Sequence, residues 1–287
     1  MDALHEEKLK FLEEMANTLR EDVIKMLAKA GSGHSAGPLG MAEVFATFYF
    51  HILAHDPDNP EWPERDRLVL SNGHICPILY AALARAGYFS VKELDTLRKI
   101  NSRLQGHPHR TALPGIENTS GPLGSGLSQA AGMALAARMD GKRYRVFCIT
   151  SDGEHQEGNI WEAVMFAGKY RLGNLTAVMD RNNIQIDGFT EQVMPLEPLR
   201  EKYQAFNWNV VEIDGHNPRD LVDAVAEAEA VYEKPTMILA HTIPGRGVSF
   251  MERKYEWHGK PPTKEEANRA LKELRARGKR LQRTHIW

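Results

Sequence analysis

Residues 150–163 read T-S-D-G-E-H-Q-E-G-N-I-W-E-A, and residues 175–188 read L-T-A-V-M-D-R-N-N-I-Q-I-D-G. Two apolar, β-rich segments, 146–149 and 175–179, each run into a polar cluster. Between them, 158–170 places Ile160, Val164 and Ala167 at helical spacing. This is a strand–helix–strand unit, so both polar clusters are expected at the carboxyl ends of neighbouring parallel strands. In open α/β sheets ligands bind at that edge. Asp152 offers a hard anionic oxygen, Asn182 an amide oxygen, and the main-chain carbonyl of Ile184 a third oxygen. Oxygen-only donors of this kind suit an octahedral magnesium ion, with calcium or manganese as substitutes. Gly153 lets the backbone approach a phosphate closely, and the helix start beside it accepts negative charge.

Working outward, the 287 residues are enough for a large α/β domain, and one domain over 1–287 is expected. Lys and Arg total 36 against 38 Asp and Glu, so the near balance points to neither nucleic acid nor an acidic membrane as partner. The two cysteines, Cys76 and Cys148, lie in apolar surroundings and read as reduced core residues. The first residues lack the cationic start and apolar core of a signal peptide. No apolar run approaches the roughly 20 residues of a membrane span. Together these features predict a cytoplasmic protein.

Strands and helices alternate along the chain. A long amphipathic helix is predicted over 4–30, followed by the turn-rich loop 31–40 carrying His34, and a second helix over 41–53. A buried strand over 65–71 ends in Ser71-Asn72-Gly73-His74 before a helix at 75–87, and a short helix is expected at 91–100. Gln105-Gly106-His107-Pro108 follows, and then Thr119-Ser120-Gly121-Pro122-Leu123-Gly124-Ser125-Gly126 leads into a small-residue helix over 127–137. Beyond the central unit the reading is a loop at 188–198, a helix at 199–206, a strand at 209–213, a helix at 221–232 and a strand at 236–240. His241 and Thr242 open a long loop that reaches Trp257-His258-Gly259-Lys260, and a terminal helix spans 265–277 within a basic tail. The alternation predicts a doubly wound, mainly parallel sheet with helices on both faces.

At these motifs the chain resembles the transketolase family of thiamine-diphosphate enzymes. Asp152-Gly153 leading to Asn182-Asn183 is similar to the diphosphate and metal motif, with Ser151 where the family has its first glycine. S-G-H-x-x-G-P-L-G-M-A-E around His34, S-N-G-H at 71–74, G-H-P at 106–108, the Gly121–Gly126 loop and W-H-G at 257–259 follow in family order. Deoxyxylulose-phosphate synthase and ketoacid dehydrogenase alpha subunits share the metal motif but not this combination. The resemblance implies thiamine diphosphate and magnesium as cofactors. It implies cofactor contacts from His74, Gly121, Pro122, Leu123, Asp152, Gly153, Glu154, Asn182, Ile184, His241 and His258. It implies proton-transfer work for His34, His107 and His258, and a link between paired sites through Glu157 and Glu162. Lys260 is a further candidate for phosphate or substrate contact.

Transketolases are about twice as long as this chain, and their other half binds the aminopyrimidine ring. The expectation is therefore the diphosphate-binding subunit of a split transketolase, working with a carboxyl-terminal partner subunit in a heterotetramer on sugar phosphates. Two other readings stand beside it: a split transketolase for a branched or sulfonated sugar, and a non-catalytic scaffold built on a cofactor domain.

Overall fold

The computed structural model describes residues 4–284. Helix α1 (Glu6–Ala30) is followed by α2 (Ala36–Gly40) and α3 (Ala42–Thr47), and strand β1 (Arg67–Leu70) precedes α4 (Cys76–Ala86). Helix α5 (Ser125–Met139) leads to β2 (Val146–Ser151), α6 (Gly158–Lys169) and β3 (Leu175–Arg181). A hairpin of β4 (Ile184–Gln185) and β5 (Gly188–Phe189) comes next, with the one-turn helix α7 (Thr190–Val193). The chain continues through α8 (Leu199–Ala205), β6 (Asn209–Asp214), α9 (Pro218–Ala230) and β7 (Thr236–His241), and ends in α10 (Lys264–Thr284).

The main sheet runs in the order β1-β2-β3-β7-β6, and every pairing in it is parallel. Strands β2 and β3 are buried along their whole length, as expected for a parallel sheet covered on both faces. Alternate side chains feed two cores. Phe147, Ile149, Val178 and Ile238 pack against α1, α3, α4 and α9. Val146, Cys148, Ala177, Met179 and Met237 pack against α5, α6 and α8. The doubly wound parallel sheet read from the sequence is the fold observed.

The order of strands also places the ligand edge. The chain steps from β1 to β2 to β3 in one direction, jumps to the far edge at β6, and returns to β7 beside β3. Crossovers are right-handed, so the reversal puts α9 on the opposite face from α6. The reversal point lies between β3 and β7, and in such sheets ligands bind outside the carboxyl ends of the strands.

Three segments differ from their sequence expectations. The predicted helix over 41–53 divides: α3 ends at Thr47 and a wider turn carries Phe48–Ile52. The segment at 91–100 is a 3-10 stretch, Val91–Thr96, opened by Ser90, whose side chain accepts the Lys92 N–H. The loop expected at 188–198 contains β5 and α7. Arg181 organises it, donating to Glu191 and Glu197 at 2.8 Å each. That is a contact between chemically ordinary residues, and it leaves no periodic signature in the sequence.

A buried ionic group ties the elements behind the crevice. Arg20 of α1 donates to both carboxylate oxygens of Glu43 in α3, at 2.7 and 2.5 Å, and to the Leu39 carbonyl at 3.0 Å. The Ile243 N–H donates to His216 Nε2 at 2.8 Å, so the ring proton sits on Nδ1 and is donated to Glu43 at 3.0 Å. Burial pushes the Glu43 carboxyl up, but Arg20 and His216 outweigh it and hold it well below the usual carboxylate range. Glu43→Ala leaves Arg20, which is fully buried, without its counter-charge. It is expected to destabilise the fold by about 3–5 kcal/mol. Urea unfolding checks this, and Arg20→Met in the same chain should recover part of the loss.

Candidate functional site

A cavity of about 430 Å³ opens at the carboxyl edge of the sheet, over the ends of β1, β2 and β3. Its walls come from loops far apart in sequence. His34 enters from the turn after α1. Gly33 in that turn has φ +124, and a Cβ there would meet the Leu27 side chain at 2.6 Å, so glycine is required. His74 follows β1, His107 comes from the loop before α5, and His258 from the loop after β7. The Ser35 hydroxyl fastens that last loop by donating to the Lys260 carbonyl at 2.6 Å. The rings of His34 and His74 lie 5.0 Å apart, His74 and His258 5.0 Å, and His34 and His258 5.4 Å.

The histidines share one electrostatic state. Burial, followed by His258, Arg98 and His107, lowers His34 to about 4. His74 is pushed well below the ordinary value by burial, then by His258 and His34. Burial lowers His107, with Arg98 adding to it, and burial lowers His258. The imidazoles are therefore neutral at pH 7, each able to accept a proton at one nitrogen and donate from the other.

Glu154 organises the floor. Its carboxylate accepts from the Gly124 N–H at 2.8 Å, the Ser151 N–H at 2.9 Å and the Ser71 hydroxyl. One side chain thus joins the end of β1, the start of α5 and the end of β2. Burial raises it to about 7 against those donors. The start of α5 presses on β1 so closely that a Cβ on Gly126 would lie 2.4 Å from Ser71 Cα. Gly121 and Leu123 of the same loop line the cavity.

Of the oxygen donors expected to hold a cation, Asn182 and Ile184 line the cavity, while Asp152 lies behind the wall, tied to the Asn183 N–H. Asp152 is wholly buried, and burial raises its carboxyl to about 6 against the pull of Arg181. Its Oδ1 accepts the Gly153 N–H at 2.7 Å, and its Oδ2 accepts the Asn183 N–H at 2.6 Å and Arg181 at 3.0 Å. Asn182 and Ile184 line the cavity, and the Asn182 amide oxygen accepts the Ile184 N–H at 3.0 Å. A carboxylate, an amide oxygen and a main-chain carbonyl fit a hard divalent cation in chemical type. A cation there shares Asp152 with the Arg181 guanidinium. Among the described residues no cluster of three His, Cys, Asp or Glu side chains suits a metal, so any cation at this corner rests on amide and main-chain oxygens as well.

The remaining candidates are distributed unevenly. Gly153, Glu154 and Glu157 line the cavity. Glu162 lies on a different hollow between α5 and α6, beside Ser128 and Phe166. Pro122 is not in the cavity lining, and its carbonyl accepts the Ser125 hydroxyl at 2.8 Å. His241 stands outside the cavity, half exposed, with Nε2 3.1 Å from Glu212. Lys260 is turned to Glu266 at 3.3 Å and over the Trp257 ring at 4.1 Å.

Sequence reading missed several residues that matter here. Asp180, fully buried, accepts from the Asn182 amide at 2.7 Å and from the Thr242 hydroxyl, and so fixes which end of the Asn182 amide faces the cavity. Burial raises its carboxyl to about 7. Its position at the end of a buried strand was the available signal. Gln156, Gln185 and Asp187 also line the cavity. His34 Nδ1, both polar atoms of the Asn72 amide and the Ser120 hydroxyl are buried without a protein partner. Each such orphan costs about 1–3 kcal/mol; of these residues only His34 lines the cavity, with Asn72 two residues before the lining His74 and Ser120 directly before the lining Gly121.

Comparison with known proteins agrees with this geometry. The family described as "Transketolase, thiamine diphosphate binding domain" matches residues 12–278. The chain is 48% identical to the 6-deoxy-6-sulfo-D-fructose transketolase subunit SqwG of Clostridium sp. (strain MSTE9), covering 93% of this chain and 97% of that one. It is 39% identical to an apulose-4-phosphate transketolase subunit of Phocaeicola vulgatus, over 95% of this chain and 96% of the relative. Human transketolase is 38% identical over 96% of this chain, which spans 44% of the human protein. Among solved structures, Campylobacter jejuni transketolase superposes with a TM-score of 0.86 at 32% identity, over 94% of this chain and 45% of that one.

The lowered His34 generates a stability prediction. A histidine with a folded value of about 4 against 6.5 unfolded supports the fold fully above pH 6.5. That support is lost as pH falls toward 4. His34→Asn is expected to lose less stability than the parent between pH 7 and pH 5. Thermal unfolding of both proteins at the two pH values measures the difference. Equal losses would show that the ring titrates normally.

Proposed function

The chain belongs to the transketolase thiamine-diphosphate-binding family, and on that premise we propose that it is the diphosphate-binding subunit of a two-subunit transketolase. The observation that carries this reading is coverage. Two relatives that the chain matches almost end to end are named as transketolase subunits, whereas it spans less than half of human transketolase. In this reading residues 1–287 act as one cofactor domain, a partner subunit contributes the aminopyrimidine pocket, and the two form a heterotetramer in the cytoplasm. No helix among the described residues is long and apolar enough to cross a membrane.

Thiamine diphosphate, when bound, supplies a carbon nucleophile and an electron sink for cleaving and making a carbon–carbon bond next to a carbonyl. The chain's own residues do the rest. Asp152, Asn182 and the Ile184 carbonyl would hold a divalent cation, magnesium by their donor chemistry, which would neutralise diphosphate charge. Glu154 keeps the Gly121–Gly126 loop against the cofactor by anchoring the Gly124 N–H. His34, His107 and His258, neutral at pH 7, accept and return protons at the sugar hydroxyls and carbonyl oxygen. His74 packs against both His34 and His258, which also touch each other, and so helps to order the three rings. The reaction is transfer of a two-carbon ketol unit from a ketose phosphate to an aldose phosphate.

A second reading concerns the sugar. The 48% identity to a relative named for 6-deoxy-6-sulfo-D-fructose supports a sulfonated donor as an alternative beside the ketose phosphate. Both readings use the same residues and differ in what lies at the far end of the donor.

The deciding assay purifies the chain alone and with a co-expressed partner subunit. It then measures ketol transfer to an aldose phosphate from xylulose 5-phosphate and from 6-deoxy-6-sulfofructose. Activity that appears only with the partner is expected. Full activity from the single polypeptide would overturn the two-subunit reading, and preference between donors decides the sugar. Asp152→Ala is expected to abolish magnesium-dependent cofactor binding by the complex in calorimetry. His34→Ala and His258→Ala are expected to cut turnover by about 100- to 10,000-fold with cofactor affinity largely kept.

A further inference from the structure

A second cavity, of about 440 Å³, opens at the opposite edge of the sheet, where the strands begin. Three arginines line it. Arg138 comes from the last turn of α5, Arg145 from the residue before β2, and Arg171 from the turn between α6 and β3. Tyr232 and Glu233, between α9 and β7, form the rim, and Asn174 completes the wall. Strands β2 and β3, six and seven residues long, separate the two cavities by about 20 Å at roughly 3.3 Å per residue. No small ligand spans both.

The donors here are only partly used. Arg145 Nη2 donates to the Gly173 carbonyl at 3.1 Å, the Ala228 carbonyl at 3.3 Å and the Thr176 hydroxyl at 3.4 Å. Its Nε is buried with no acceptor, and the Glu229 carboxylate, at 4.0 Å, is beyond hydrogen-bond reach. Arg138 donates Nη1 to the Tyr170 and Arg171 carbonyls at 2.5 and 3.0 Å, which leaves its other nitrogens unspent. No hydrogen bond or ion pair engages the Arg171 guanidinium among the described residues. Against these three cations the lining contains one carboxylate, Glu233. The Asn174 amide oxygen is also buried without a donor, while its nitrogen is fixed on the Ala134 carbonyl at 2.9 Å.

We propose that this cavity binds a small phosphate ester. Guanidinium forks match phosphate oxygens in geometry as well as charge, and unspent donors on three arginines can surround one such group. Arg138, Arg171, Tyr232 and Glu233 are exposed, so the hollow is open to solvent on that side and a ligand reaches the guanidinium groups directly. Nothing in this argument draws on the proposed reaction at the other edge.

The test uses the full chain, freed of metal with a chelator and dialysed, and titrates sn-glycerol 3-phosphate in a calorimeter. Arg171 has φ +50, a conformation that asparagine tolerates, so Arg171→Asn removes the charge without straining the turn. Saturable binding is expected. Arg171→Asn should weaken it about tenfold to a hundredfold, as loss of a charged hydrogen bond does, and Glu233→Gln should tighten it. Arg275→Asn, on the exposed side of α10, serves as the charge control and should bind as the parent does. Absence of saturable binding at millimolar concentration overturns the proposal. So does parent-like affinity in Arg171→Asn, or an equal loss in the Arg275→Asn control.

Discussion

The Glu43 carboxylate is the constraint on which the site's architecture depends. It is buried, it receives two hydrogen bonds from Arg20 and one from His216, and through His216 it reaches the main chain of Ile243. Four segments that are remote in sequence therefore meet at one anion: α1, α3, the turn after β6 and the loop after β7. The same loop continues to His258, and the chain between α1 and α3 carries His34. A charge that contacts no cavity wall thus ties together the elements from which two of the rings are carried, and the Ser35–Lys260 hydrogen bond joins their loops directly. Burying such a group is costly unless every lone pair is answered, and here the answering donors come from all the pieces that must be aligned.

Desolvation has opposite consequences for acids and bases in the crevice, and both favour neutrality. Asp152, Glu154 and Asp180 are raised toward 6 or 7, and the four histidines are lowered. At neutral pH the histidines of the crevice are therefore uncharged, whereas Asp152, raised only to about 6, stays largely ionised beside Arg181, and Glu154 and Asp180 sit near their midpoints.

Much of this was legible in the sequence because the features that fix it are local. The apolar runs of β2 and β3, the helix between them and the polar residues at their ends define a parallel unit with its ligand edge. The family motifs bring His34, His74, His107 and His258 to one cavity although four loops carry them. What escaped sequence reading depends on contacts across the fold. The 188–198 segment takes its shape from Arg181, Asp180 acts through Asn182, and His241 turns to Glu212 because β6 lies beside β7. Each is a pairing of common residue types at long separation, which neither periodicity nor spacing records. The second arginine cavity was invisible for the same reason, since its members come from three different crossovers.

Arg181 gives Asp152 a resident cation. Its guanidinium bonds Asp152 with one nitrogen and holds Glu191 and Glu197 with the other. A divalent ion at Asp152 would therefore share that carboxylate with Arg181 and would not fill a bare anion. Its affinity would carry the repulsion between the two cations as well as the attraction to the one anion. Glu191 and Glu197 hold the arginine by its other nitrogen. Residues 191 and 197, which touch no expected ligand, would thereby enter into what the chain demands of a metal.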